Sequence, residues 1–178
     1  MKKKLFWAVI YIWMAIVTVS AYAEVEVLGG GLTYHLIDNG AAQSFSHKLS
    51  SDGRLIANPS YGLTIYGHQD IFFKAVTVFA GENSVGSGMA GAIYSEGVEV
   101  GHAEVGLALG GYAQDSKSFT DLGIHSFRLT SIKGLDLVPL VGVVLNYRVP
   151  LSDKVYIKLN NLISPVITNT SLSLGYNF

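Results

Sequence analysis

The chain contains no cysteine, which excludes a disulfide framework and any thiolate chemistry. Positive charge is also scarce. Of 12 lysines and arginines, Lys2, Lys3 and Lys4 sit in the first four residues, and the 9 that remain are outnumbered by 13 acids. This leaves no basic footprint for a nucleic-acid partner. Long apolar runs are missing too, except from Leu5 to about Val19, which is shorter than the roughly twenty residues of a spanning helix. That run follows Met1-Lys2-Lys3-Lys4 and precedes Ser20-Ala21-Tyr22-Ala23, the charged start, apolar middle and small-x-small end of a secretory signal peptide. Residues 1–23 are read as signal peptide and 24–178 as one mature domain of formal charge −4.

Beyond residue 23 no stretch sustains a helical period, whereas short alternating runs separated by turn residues recur throughout. They predict strands at 24–37, 57–67, 71–83, 89–100, 103–115, 136–149, 154–165 and 169–178, an even number as outer-membrane barrels require. The last run, Thr170 to Phe178, puts Leu172, Leu174, Tyr176 and Phe178 on one face and Ser171, Ser173, Gly175 and Asn177 on the other. Connections at 68–70, 101–102 and 150–153 are short, and those at 38–56, 84–88, 116–135 and 166–168 fall at the opposite end. Short turns belong on the periplasmic side, so both termini are expected there.

A soluble eight-stranded ligand-binding barrel would turn a polar face outward. Here Val105, Leu107 and Leu109, then Val141, Val143, Leu145 and Tyr147, then Val155, Ile157 and Leu159 are assigned outward, facing lipid. The expected fold is an all-β, eight-stranded antiparallel transmembrane β-barrel of the outer membrane.

The inward residues of 136–149 are read as Val138, Leu140, Gly142, Val144, Asn146 and Arg148, those of 103–115 as Glu104, Gly106, Ala108 and Gly110, and those of 71–83 as Lys74, Val76, Val78 and Ala80. The lumen would then be polar near the periplasm and apolar toward the outside. Such a space suits a hydrocarbon chain, at about 0.8 kcal/mol per buried methylene; the alternative is a core simply filled with Val and Leu. Gly91, Ile93 and Gly142 are candidates for its floor. Strand 89–100 does not phase, which suggests a bulge near Ser95 to Gly97.

Pro139 and Pro165 lie at the outer ends of neighbouring strands. Facing prolines would leave the ladder locally unzipped, and an unpaired backbone group in hydrocarbon costs several kcal/mol. A lateral lipid gate is therefore expected there, and Pro59 opposite Gly29-Gly30-Gly31 would mark a second weak seam.

These residues resemble the lipid A palmitoyltransferase (PagP-type) family of outer-membrane acyltransferases. Thr33-Tyr34-His35 is similar to the family's Thr-Trp-His, Asn83-Ser84 to its Asp-Ser pair, Leu137-Val138-Pro139-Leu140 to an apolar segment around a sixth-strand proline, and Pro165 and Pro59 to prolines on the seventh and second strands. The departures are Asn83 for aspartate, with Glu82 adjacent but in the other phase, the glycine run in place of a first-strand proline, and no room for an N-terminal amphipathic helix.

The resemblance implies transfer of an acyl chain, palmitoyl in the family, from a phospholipid donor to lipid A of lipopolysaccharide, with no cofactor. It assigns His35 as general base, Ser84 as nucleophile or hydrogen-bond partner and Asn83 as donor to the ester oxygen. Lys74 would recognise lipopolysaccharide, and Pro139, Pro165, Thr168 and Pro59 would form the lipid gate. It also implies resistance to cationic peptides. The site would face the cell exterior, in a monomer or weak homodimer. His68 and His102 fall in short turns; His47 and His125 lie in long loops beside Lys48, Arg54, Lys117, Arg128 and Lys133, bases available to lipid A phosphates. No spacing reads as a metal site. The alternatives are a non-catalytic structural or adhesive barrel with function in its outer loops, and a lipid A esterase.

Overall fold

A computed structural model describes residues 24–36, 47–84, 86–115, 130–132 and 134–178. The signal-peptide reading and the loop residues Lys117, His125, Arg128 and Lys133 lie outside the described residues. The strands in chain order are β1 (Glu24–His35), β2 (Leu55–Ala57), β3 (Ser60–Gln69), β4 (Phe72–Glu82), β5 (Gly88–Val100), β6 (Ala103–Asp115), β7 (Thr130–Ile132), β8 (Leu135–Pro150), β9 (Val155–Ile163) and β10 (Ile167–Asn177). Every pairing is antiparallel, and β10 pairs with β1 to close the sheet on itself. The short β2 continues the wall beside the upper part of β1, and β7 lies against the upper end of β8.

Two of the short connections are tight hairpins at Asp70-Ile71 and Gly101-His102, with Asp70 at φ 54° and Gly101 at φ 64°, the left-handed backbone such turns require. Leu107, Leu109, Val141, Val143, Leu145, Leu172 and Leu174 are exposed on the outside, while charged side chains fill part of the interior. An apolar exterior on an antiparallel wall closed by β10 on β1 is the arrangement hydrocarbon permits. The protein is an eight-stranded outer-membrane β-barrel.

On β8 the alternation places Val138, Leu140, Gly142, Val144, Asn146 and Arg148 inside, and on β6 Glu104, Gly106, Ala108 and Gly110, as the sequence indicates. On β4 the expected phase is reversed. Phe73 and Ala75 are buried, followed inward by Thr77 and Phe79, while Lys74, Val78 and Ala80 face out. The hairpin decides this: His68 pairs with Phe73 and Gly67 with Lys74, paired residues share a face, and His68 points inward. No bulge interrupts β5, whose register with both neighbours is continuous from Met89 through Val98.

The irregularity is in β1. Gly29 pairs with Leu172 and Leu32 with Thr170, so two residues on β1 oppose one on β10, with Gly30 at φ 69°. A bulge of this kind shifts the side-chain phase. Below it Glu24, Glu26 and Leu28 face the lumen; above it Gly31, Thr33 and His35 do.

Candidate functional site

The lumen near the short turns is occupied by a lattice of charges. Arg148 on β8 grips Glu24 on β1 with two parallel hydrogen bonds of 2.9 and 2.7 Å and donates to Glu104 on β6 at 3.1 Å. Lys158 on β9, fully buried, donates to Glu104 at 3.0 Å and to the Tyr66 hydroxyl at 2.5 Å, and pairs with Glu26. Its ammonium also lies 3.7 Å from the Tyr66 ring centroid. Tyr156 donates within 2.9 Å of both Glu24 and Glu26, Ser173 donates to Glu26 at 3.0 Å, and Asn146 donates to Glu104 at 2.9 Å. His68 lies between Glu24 at 3.3 Å and Glu99 at 3.2 Å. Around this lattice Tyr66, Phe73, Ala75, Ala108 and Val144 pack together.

Above the lattice is a cavity of about 160 Å³. One wall carries amides and hydroxyls, including Thr33, Asn58, Asn160, Asn161, Asn169 and Ser171; the other carries Phe79, Met89, Ile93, Tyr112, Leu140 and Val144. Among the described residues no charged side chain lines it. The expected gradient toward an apolar outer lumen is therefore corrected to a two-sided, neutral cavity. Ile93 is on its wall; Gly91 and Gly142 are not.

Asn83 and Ser84, in the β4–β5 turn, both line this cavity. The Asn83 side chain is engaged at both ends: its carbonyl accepts the Ser87 N–H at 2.9 Å and its amide donates to the buried Gln114 at 2.6 Å. It holds the turn as an Asx residue does. His35 faces inward from the top of β1, opposite Ile167, its backbone N–H donating to the Arg54 carbonyl at 3.1 Å, but it is not part of the cavity lining that includes Ser84. Beneath it Thr33 is buried and accepts from Asn58 at 2.6 Å and from Asn169 at 2.9 Å. Lys74, expected in the lower lumen, is on the outer surface.

Of the gate residues, Pro139 sits on β8 and Pro165 in the bend beyond β9 rather than on a strand. The β8–β9 ladder runs from Pro150–Tyr156 to Arg148–Lys158 and Tyr147–Leu159, resumes at Val144–Leu162 and Val143–Ile163, and stops. Across the interruption the Asn161 backbone N–H donates to the Asn146 side chain at 3.1 Å and the Asn161 amide to the Leu145 carbonyl at 2.8 Å. Above it, β7 covers only Leu135–Leu137. Among the described residues, no strand pairs with 138–142 on this side. Continuing the register two residues would set Pro165 opposite Val141.

The other two gate residues lie in closed wall. Thr168 is paired with both Tyr34 and Ile163. Pro59 sits between β2 and β3, where the Asn58 N–H donates to the Gly31 carbonyl at 2.7 Å, so the expected second seam is bridged. A contact the sequence did not suggest joins His47 to Glu82 at 3.2 Å, tying the first long loop to the rim of β4. His102 packs edge-on against Tyr147 at the short-turn end. Among the described residues no group of three or more His, Cys, Asp or Glu side chains could hold a metal.

No protein-family model and no curated protein matches the chain. Solved structures similar to it include Neisserial surface protein A, with 12% identity and a TM-score of 0.45 over 88% of this chain and 94% of that one. Ail, the attachment invasion locus protein of Yersinia pestis, in complex with the heparin analogue sucrose octasulfate, has 13% identity and a TM-score of 0.44 over 88% and 99%. The N-terminal β-barrel domain of Pseudomonas aeruginosa OprF has 13% identity and a TM-score of 0.41 over 87% and 97%.

Proposed function

We propose that this chain is a non-conducting, non-catalytic outer-membrane barrel that stabilises the membrane wall and holds its long loops at the cell surface. The observation that carries this reading is the charge lattice of Glu24, Glu26, Glu104, Arg148 and Lys158, which blocks the lower lumen with side chains whose polar groups answer one another. A pore would keep a wetted path instead. The Asn83 side chain, expected to do chemistry, supports the same reading, since it holds the β4–β5 turn and bonds Gln114.

A second reading, acyl transfer to lipid A from a phospholipid, is favoured by the stretch at 138–142, which no described strand pairs on the side away from β6, which carries the cavity residue Leu140 and which would give a lipid chain lateral entry. The cavity compares with the roughly 150 Å³ hole that admits one benzene ring, so it would seat the end of a palmitoyl chain, with the rest lying in the seam. Removal of the acyl chain by water, the esterase reading, would use the same entry.

Mass spectrometry of lipid A from cells with and without the chain separates the readings. Unchanged lipid A, together with uptake of a hydrophobic dye that rises on deletion and is restored equally by wild type, His35→Ala and Ser84→Ala, supports the structural barrel. A gain of one acyl chain that His35→Ala or Ser84→Ala abolishes overturns it in favour of the transferase, and a loss of one overturns it in favour of the esterase.

A further inference from the structure

Lys74 and Glu96 are directly paired across β4 and β5 and both are exposed on the outward face. Among the described residues they are the charges on that face away from the strand ends. Phe72 and Val100 lie exposed between them and the short turns, and Val76 and Val78 continue the face on the other side, so the pair is set within the apolar belt. Neither charge is answered by its neighbour. The Glu96 carboxylate accepts from the Tyr94 hydroxyl two residues along its own strand at 2.7 Å, and Lys74 makes no hydrogen bond or ion pair among the described residues. Hydrocarbon cannot solvate either group, and inside a membrane polar side chains find partners on another protein surface.

We infer that the β4–β5 face docks a second copy of this chain about a two-fold axis along the bilayer normal. Two copies inserted in the same direction can be related by no other two-fold, and this one keeps every residue at its own depth. Lys74 and Glu96 sit side by side, with Cβ atoms about 5 Å apart as in any directly opposed pair. The axis therefore brings Lys74 of each copy beside Glu96 of the other, so that two ion pairs form and each charge is answered once. The face is self-complementary in charge, which a lipid headgroup, able to satisfy Lys74 alone, is not. Above the pair, Ala80 and Ala90 are opposed across the strands and Ala92 follows. These side chains are small enough for two sheets to approach closely.

The absence of cysteine makes the test direct, because a single introduced thiol cross-links only between copies. In phosphatidylcholine vesicles, Ala92→Cys should form a disulfide-linked dimer under mild oxidation at least fivefold above Leu174→Cys, a control on the opposite wall. Adding Lys74→Glu or Glu96→Lys alone should bring the yield down to the control, and adding both should restore it, since the double reversal rebuilds the complementarity. The neutral variants Lys74→Met and Glu96→Gln provide the same loss if a reversal fails to fold, as judged by circular dichroism. Cross-linking of Ala92→Cys no better than the control, or a double reversal no better than the singles, overturns the inference and leaves Lys74 to the lipid headgroups.

Discussion

Replacing Lys158 with methionine should be among the most damaging single changes in the barrel. The ammonium is fully buried and is shared by Glu26 and Glu104. Without it Glu104 retains Arg148 and Asn146, but among the described residues Glu26 retains only the hydroxyls of Tyr156 and Ser173. Methionine fills a comparable volume, so the loss is electrostatic rather than a cavity. Removing one partner of a buried pair costs about 3–5 kcal/mol because the other charge is left uncompensated. With a urea dependence of about 1–3 kcal/mol per molar, a 3 kcal/mol loss moves the unfolding midpoint by roughly 1–3 M.

Both tryptophans, Trp7 and Trp13, lie in the expected signal peptide, so far-UV circular dichroism in lipid vesicles is the appropriate probe. Adding Glu26→Gln should return about 2 kcal/mol of the loss, since contacting residues couple by about 0.5–3 kcal/mol and the uncompensated charge is gone. A Lys158→Met midpoint within about 0.3 M of wild type, on a slope of that size, would refute the reasoning. So would a double variant no more stable than the single.

Gly30 has open space where a Cβ would stand, so Gly30→Ala should cost only the left-handed backbone penalty of about 1–2 kcal/mol. Deleting Gly30 removes the extra residue of the bulge and leaves Thr33 opposite Asn169 and His35 opposite Ile167, both still facing the lumen, so it should cost no more in the same urea titration. A Cβ on Gly175 would fall on the Tyr156 ring; Gly175→Val should cost about 1–3 kcal/mol as an overpacked site, and Glu24→Gln should reduce that penalty, because Tyr156 then has less to lose. Asn83→Ala should destabilise by about 1–3 kcal/mol by stranding Gln114, while leaving lipid A mass spectra unchanged if the barrel is structural.

Strands whose two faces differ in chemistry were legible from the sequence. On β8, Val141, Val143, Leu145 and Tyr147 oppose Gly142, Val144, Asn146 and Arg148, and the polar lower positions set the phase unambiguously. On β4 both faces are apolar, Phe73, Ala75 and Phe79 against Val76, Val78 and Ala80, so alternation alone could not place Lys74. The readable signal lay in the hairpin, where counting across Asp70-Ile71 forces Phe73 onto the face of His68. Two of the five residues of the charge lattice, Glu104 and Arg148, were visible in the sequence. Glu24, Glu26 and Lys158 escaped notice because their meaning depends on which strands meet across the lumen, and that is a property of closure rather than of any one segment. The glycine run was readable as a weak point, but not as a bulge that reverses the phase above it, since that requires the count of residues on the opposing strand.

The lattice also constrains the order in which the barrel can be made. Glu24 meets Arg148 across 124 residues and Tyr156 across 132, and Glu26 meets Lys158 across the same closing strands. None of these contacts repays the entropy of bringing the chain ends together until the final strands arrive. Until then Glu24 has only His68 of the neighbouring β3, and Glu26 is carried toward the membrane without the Lys158 ammonium. A partly built sheet is therefore penalised at both edges, and β1 gains most from waiting in water until β8, β9 and β10 are in place. Insertion and closure thus become a single event, and a chain stalled before β9 is left soluble and exposed to proteolysis rather than trapped half-inserted.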